Sequence, residues 1–118
     1  MTAKACPDLF EKGIDLFNTG RFFECHEVWE EIWKRSAAPE KLFYQGMIQA
    51  AAALLHVERC NLHGAASLYA KACAKLDPLP AEHMGIALGE LRDAMKEFFR
   101  LVRENAKMPD PPKLRRLG

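Results

Sequence analysis

The residues best suited to chemistry lie in one short segment, FFECHEVWEEIW, at positions 22–33. With about 100° of rotation per helical residue, His26 and Glu30 lie one turn apart and their side chains come within contact range. Both fall at the edge of an apolar arc that contains Trp33. The remaining glutamates project to the opposite, solvent-facing side: Glu24, Glu27 and Glu31. An imidazole and a carboxylate at this spacing can bind a divalent metal ion or act together in acid–base chemistry.

A second polar stripe follows on a segment that is otherwise apolar nearly all round. From Leu42 to Val57 the chain carries no Asp, Glu, Lys or Arg, which is typical of a central, buried helix. Gln45, Gln49 and His56 nevertheless project within about 40° of one another. Because an unpaired buried amide or imidazole costs roughly 1–3 kcal/mol, the stripe needs hydrogen-bond partners. We expect the neighbouring helix to provide them.

The two stripes predict one partly buried polar cluster between adjacent helices. Its polar members are His26, Glu30, Gln45, Gln49 and His56. Its predicted lining is aromatic: Trp29, Trp33 and Tyr44. If the cluster binds a metal, the predicted ligands are His26, Glu30 and His56, because glutamine is a poor one. The predicted cofactor is then zinc or another divalent first-row ion, and the two glutamines would orient a bound group.

Two other interpretations of the cluster stay open. In the first, Glu30 has a raised pKa beside tryptophan and acts as a general base with His26, as in a small hydrolase-type enzyme. Cys25 is disfavoured as a nucleophile because it projects about 100° away from His26. In the second, the cluster only locks two helices together within a protein-interaction module. The repeated Asn…Gly pattern at Asn18 and Asn61 loosely resembles tetratricopeptide-type hairpins.

The elements that position these residues are predicted to be helical throughout, in an all-α, single five-helix bundle of antiparallel helical hairpins. Strand and hairpin signals are scarce. The predicted helices are a first one capped by Asp8 and ending near Gly20, then Arg21 to Ser36, Pro39 to Arg59, a fourth capped by Asn61 and ending before DPLP, and Ala81 to Asn105. Residues 1–105 are predicted to form one domain, and 106–118 an extended basic tail.

Composition sets the broad class. The chain has 118 residues, 49% of them apolar and 28% charged, with a net charge of +1, as in an ordinary globular domain. This balance argues against a nucleic-acid partner, and no segment is apolar enough to span a membrane. The tail PPKLRRLG is basic, which favours either a solvated terminus or an acidic partner.

Four cysteines without a CxxC pair are typical of free, mostly buried thiols in a cytoplasmic protein: Cys6, Cys25, Cys60 and Cys73. A homo-oligomer stays open as an assembly state.

The segments FNTGRFFECHEVWEEIW, FYQGMIQAAAALLH, NLHGA and HMGIALGEL, between Leu16 and Leu91, resemble the DUF309 family. These are small all-helical bacterial and archaeal proteins without an assigned activity. The family's H-x-x-x-E-x-x-W/Y motif falls on His26, Glu30 and Trp33. The resemblance implies an all-helical fold and a site at this trio, for which metal binding has been suggested. It implies no reaction.

Overall fold

A computed structural model describes residues 2–104 and 108–117 of the chain, with side chains from Leu9 onward in the first helix. The helices are α1 (Thr2–Asn18), α2 (Phe22–Arg35), α3 (Glu40–Glu58), α4 (Leu62–Leu76) and α5 (Leu88–Glu104), with a small hairpin, β1 (Glu82–His83) and β2 (Ile86–Ala87), before α5. Among the described residues, α1 packs against α2, and α3 packs extensively against both α2 and α4, whereas α5 makes few contacts with α4. The short connections make the packed neighbours α1 to α4 antiparallel. The predicted all-α, five-helix fold is confirmed.

The end of α1 and the start of α4 are formed by the residues that the sequence predicted for them, Gly20 and Asn61. Gly20 adopts a φ of +78° after α1, and Arg21 N–H donates to the Leu16 carbonyl at 2.9 Å, which closes the helix in a Schellman-type turn. Asn61 precedes α4, and its side chain accepts a hydrogen bond from Gly64 N–H at 3.1 Å. These local signals set the turns that make α1–α2 and α3–α4 hairpins.

Aromatic side chains from the first three helices form the core. Trp29 of α2 is 0% exposed and lies against Phe10 and Phe17 of α1, with ring centroids 5.8 and 6.0 Å apart. Phe10 also contacts Phe43 of α3 at 5.8 Å. Large rings from three helices therefore meet at one place, which fixes the face that α2 turns toward α1 and the face that is left for α3.

The fifth helix begins later than predicted. Ala81 lies outside α5, which starts at Leu88, and the residues between form the β1–β2 hairpin. Its two turn residues have positive φ, 53° at Met84 and 75° at Gly85, as a two-residue hairpin turn of type I′ requires. The sequence interpretation missed this hairpin because methionine is not a usual signal for a left-handed position.

The basic tail is extended, but it is packed against the protein rather than solvated. Over 108–117, Leu114 is only 2% exposed, and its backbone exchanges two hydrogen bonds with the Asn18 side chain, at 2.7 and 2.9 Å. Arg116 forms a bridge with Ile86 of the hairpin. The expectation of a frayed, solvated terminus is therefore wrong for this segment. Residues 106, 107 and 118 lie outside the described residues, and the 1–105 domain boundary stays a prediction.

None of the helices in the described ranges has the length and apolar character needed to cross a membrane.

Candidate functional site

The face of α2 that carries the candidate residues is half-buried, as its helical projection predicts. His26, Glu30 and Trp33 are all of intermediate exposure, whereas Glu27 and Glu31 are exposed to solvent. Spacings of four and three residues place the first three side chains on one face, in a row along the helix. The row is thus partly open to solvent and partly covered by the neighbouring helix.

A matching row runs along α3. Gln45, Gln49 and His56 are half-buried, while ten other residues of α3 are buried. The glutamines are therefore on the least-covered face of the central helix. Lys41, one turn before Gln45, is also half-buried and begins the row.

One contact shows that the two rows adjoin. The Lys41 ammonium lies 4.5 Å from the centroid of the Trp33 ring. Because α2 and α3 are consecutive antiparallel neighbours, moving back along α2 from Trp33 corresponds to moving forward along α3 from Lys41. This register predicts that Glu30 lies near Gln45 and His26 near Gln49. We call this surface the α2–α3 seam: His26, Glu30, Trp33, Lys41, Gln45 and Gln49.

The seam lacks the hydrogen-bonded network that the sequence predicted. Among the described residues, no hydrogen bond joins two members of the predicted cluster. His56 instead pairs its Nδ1 with the Asn61 side-chain nitrogen at 3.0 Å, at the end of α3. His26, Glu30 and Gln45 are half-buried, so their polar groups can be solvated and do not have to pair with each other. Within the described chain, hydrogen bonds between the predicted members therefore do not link α2 to α3, and a role of the cluster in holding the two helices together stays a prediction.

Two members of the seam have buried polar atoms without a partner. Within the described chain, Trp33 Nε1 and Gln49 Oε1 are inaccessible to solvent and make no hydrogen bond. One is a donor and the other an acceptor. Each such atom destabilises the folded protein by roughly 1–3 kcal/mol through lost solvation. The presence of two of them on the same seam therefore needs an explanation.

Two predicted lining residues belong to the core instead. Trp29 donates from its Nε1 to the Phe10 carbonyl at 3.3 Å, facing α1. Tyr44 is buried, with its ring 5.3 Å from Phe43 and 5.8 Å from Phe10. Trp29 is fully covered by that packing, and Tyr44 nearly so. Trp33 is the aromatic residue of the predicted lining that borders the seam.

The residues do not fit a three-ligand metal centre. Within the ranges that the structure describes, no three His, Cys, Asp or Glu side chains come together in a way that could hold a metal ion. His56, the predicted third ligand, lies in the last turn of α3 and pairs with Asn61. His26 and Glu30 remain as a two-residue donor set.

Cysteine chemistry is disfavoured at the seam. Cys25 is buried, and desolvation raises the pKa of its thiol, which keeps it protonated and non-nucleophilic. The described thiols are free, as predicted, but Cys25 alone is fully buried, since Cys73 is half-buried and Cys60 is exposed. The side chain of Cys6 is not among those that the structure describes.

A cavity of about 530 Å³ between α4 and α5 was missed by the sequence interpretation. It includes none of the seam residues. The signal that could have found it is the spacing of Arg92, Lys96, Arg100 and Arg103, which fall on one side of α5 at intervals of four, four and three residues.

The fold and the seam define a class of protein: a small all-α domain of sequential helical hairpins that carries His, Glu and Trp in a row on its second helix. The family model described as "Domain of unknown function (DUF309)" matches residues 10–68. The chain belongs to this family, and the predicted membership is confirmed. The matched residues contain the whole of the α2–α3 seam.

Two curated relatives are similar over most of this chain. An "Uncharacterized protein" of Aquifex aeolicus (strain VF5) is 31% identical over 109 residues, which cover 92% of this chain and 32% of the relative. The "Uncharacterized protein YpuF" of Bacillus subtilis (strain 168) is 34% identical over 95 residues, which cover 75% of this chain and 53% of the relative. The chain thus spans about a third and about half of the length of these relatives.

Proposed function

We propose that this DUF309 protein is a binding module and that the α2–α3 seam recognises an elongated polar ligand, of which an extended peptide segment is the best example. The observation that carries the proposal is the pair of buried, unpartnered atoms, Trp33 Nε1 and Gln49 Oε1. Both atoms are covered in the ligand-free protein, so binding would require the Trp33 and Gln49 side chains to rotate toward the surface of the seam. A ligand that then accepted from the indole and donated to the amide would satisfy both. A peptide backbone offers both kinds of group at every residue.

The spacing of the two atoms favours an elongated ligand over a compact one. Trp33 is anchored beside Lys41, and Gln49 lies eight residues further along α3, about 12 Å at 1.5 Å per residue. An extended chain rises about 3.3 Å per residue, so roughly four residues would reach from one atom to the other. Glu30 and His26 lie along this path and would contact side chains or amides of the ligand.

The exposure of the seam supports recognition rather than catalysis. The six seam residues are half-buried, so each exposes part of its side chain to solvent. The Cys25 thiol beside it is protonated and buried, and it offers no nucleophile. Accessible polar groups on a rigid helical hairpin are what a binding surface requires.

A divalent first-row metal ion is the other ligand that His26 and Glu30 could bind. Among the described residues, this two-residue donor set does not fit a zinc site with three or four protein ligands. We therefore assign no metal-dependent reaction to His26 and Glu30. Titration with Zn²⁺ distinguishes this alternative. Saturable binding at one equivalent that is lost in His26→Ala and kept in His56→Ala would favour the metal over the peptide.

The proposal is tested by selecting peptides from a displayed library of random heptapeptides against the full chain, then measuring their dissociation constants by fluorescence anisotropy. Each seam hydrogen bond is worth up to about 1.4 kcal/mol, so Trp33→Phe and Gln49→Met are each expected to weaken binding up to about tenfold. Gln45→Met is the comparison variant within the seam. It makes the same chemical change, but Gln45 has no buried unpartnered atom among the described residues, so it should weaken binding less than Gln49→Met. Equal affinities for all three variants and the wild type would refute the proposal.

A further inference from the structure

The cavity between α4 and α5 has an apolar floor. Its deepest lining residues are nearly inaccessible to solvent: Ala50, Ala72, Leu76, Leu91 and Met95. Two of the five are alanines, from α3 and α4, and their short side chains leave space that larger residues would fill. At about 530 Å³ the cavity is within the range of small-molecule sites.

One side of the cavity carries two neutral polar groups. Tyr69 is stacked on Phe99, with ring centroids 4.4 Å apart and planes at 10°, so its hydroxyl is held in place. The Cys73 thiol lies one turn later on α4 and lines the same cavity. Burial raises the pKa of both groups, so at neutral pH both stay protonated and neither repels an anion.

The rim is more basic than acidic. Four lining residues are cationic, Arg92, Lys96, Arg100 and Arg103, against two carboxylates, Asp77 and Asp93. The four cations differ in whether they already have a partner in the protein, and those without one would bind an anionic group of a ligand.

Arg100 is neutralised by Glu97 at 2.7 Å and Glu104 at 2.9 Å. Arg92 donates to the carbonyls of Leu76 and Leu79, both at 2.8 Å. Lys96 and Arg103 are in no ion pair with any residue that the structure describes, and they are the rim cations left for a ligand.

We propose that this cavity binds an amphipathic carboxylate with an aliphatic chain, with the chain on the alanine and leucine floor and the carboxylate at Lys96 and Arg103. Apolar depth and an unpaired cationic rim are complementary to an aliphatic chain that ends in an anionic group. A neutral alcohol would leave the rim unpaired, and a cationic amphiphile would be repelled by it. The site is separate from the α2–α3 seam, and α5 lies beyond the residues that the family model matches.

The test is isothermal titration of the full chain with laurate below its micelle concentration, in parallel with dodecanol and dodecyltrimethylammonium. Laurate is expected to bind at one equivalent, at least fivefold more tightly than either comparison ligand. Lys96→Glu and Arg103→Glu are each expected to weaken it at least fivefold.

Lys71→Glu is the matched control, because it makes the same charge reversal at an exposed position of α4 outside the cavity lining. It should change the affinity less than twofold, and Gln49→Met should leave it unchanged. Absence of laurate binding at millimolar concentration, equal binding of the cationic amphiphile, or an equal loss in Lys71→Glu would each overturn the proposal.

Discussion

Replacing Gln49 with methionine is expected to stabilise the ligand-free protein. The Oε1 atom of Gln49 is buried, and no described residue donates a hydrogen bond to it. Methionine has nearly the same length and shape but no strong acceptor, so the substitution removes the desolvation penalty and keeps the packing. A cluster that locked α2 to α3 would respond in the opposite way, because a hydrogen bond would be lost.

The magnitude follows from one unsatisfied buried acceptor. Its removal is worth roughly 1–3 kcal/mol in the limit of full burial, and the half-buried position of Gln49 puts the expectation at the lower end, about 1–2 kcal/mol. For a chain of 118 residues, an unfolding entropy of about 2.1 cal/mol/K per residue converts each kcal/mol into roughly 4 °C. The melting temperature should therefore rise by about 4–8 °C.

Thermal unfolding followed by circular dichroism at neutral pH, with a urea titration for the free energy, measures this change. Gln45→Met makes the same chemical change one turn earlier. Among the described residues, Gln45 is not one of those with a buried unpartnered atom, so the free energy of unfolding should stay within about 0.5 kcal/mol of wild type. A Gln49→Met protein that melts at or below the wild-type temperature would refute the reasoning, and with it the main support for the seam as a binding surface.

Three further outcomes are expected. Gly13→Ala places a Cβ 2.0 Å from Trp29 Nε1 and should cost about 2 kcal/mol or more despite better helix propensity, with partial rescue by Trp29→Phe in a double-mutant cycle measured in urea. Asn61→Ala removes the α4 cap and should lower the unfolding free energy by about 1 kcal/mol in the same assay. Arg115 holds the pKa of Glu90 below its ordinary value of 4.5. This stabilisation is present above that value and is lost as pH falls through the lower folded-state pKa. The protection factors of the tail amides, which correct for the pH dependence of intrinsic exchange, should therefore fall in acid, and Glu90→Gln should remove that dependence.

Much of the fold was predictable because its signals are local. Gly20 and Asn61 end and begin helices through contacts within five residues, and the apolar periodicity of α5 needs no partner to be recognised. The packed tail was not predictable for the opposite reason. Leu114 pairs with Asn18, 96 positions away, and no short pattern encodes such a contact.

The sequence predicted which face of α2 carries the candidate side chains, but not which neighbouring helix covers each of them. A helical projection placed His26 and Glu30 correctly on the covered edge of α2, because direction depends only on the residue number. It also grouped Trp29 with Trp33, which lie about 40° apart in projection. The structure separates the two rings because α1 and α3 flank α2 on different sides, so that one indole meets Phe10 and the other meets Lys41. Only tertiary packing distinguishes these environments.

The contact between the 108–117 segment and α1 has a consequence for the order in which the protein folds during synthesis. Arg116 is hydrogen-bonded to Glu11 across 105 positions, so this contact forms only after Arg116 has been synthesised. The α2–α3 hairpin closes across the four residues between Arg35 and Glu40, a short loop with little entropic cost. The proposed recognition surface can therefore assemble co-translationally, ahead of the contacts that complete the domain.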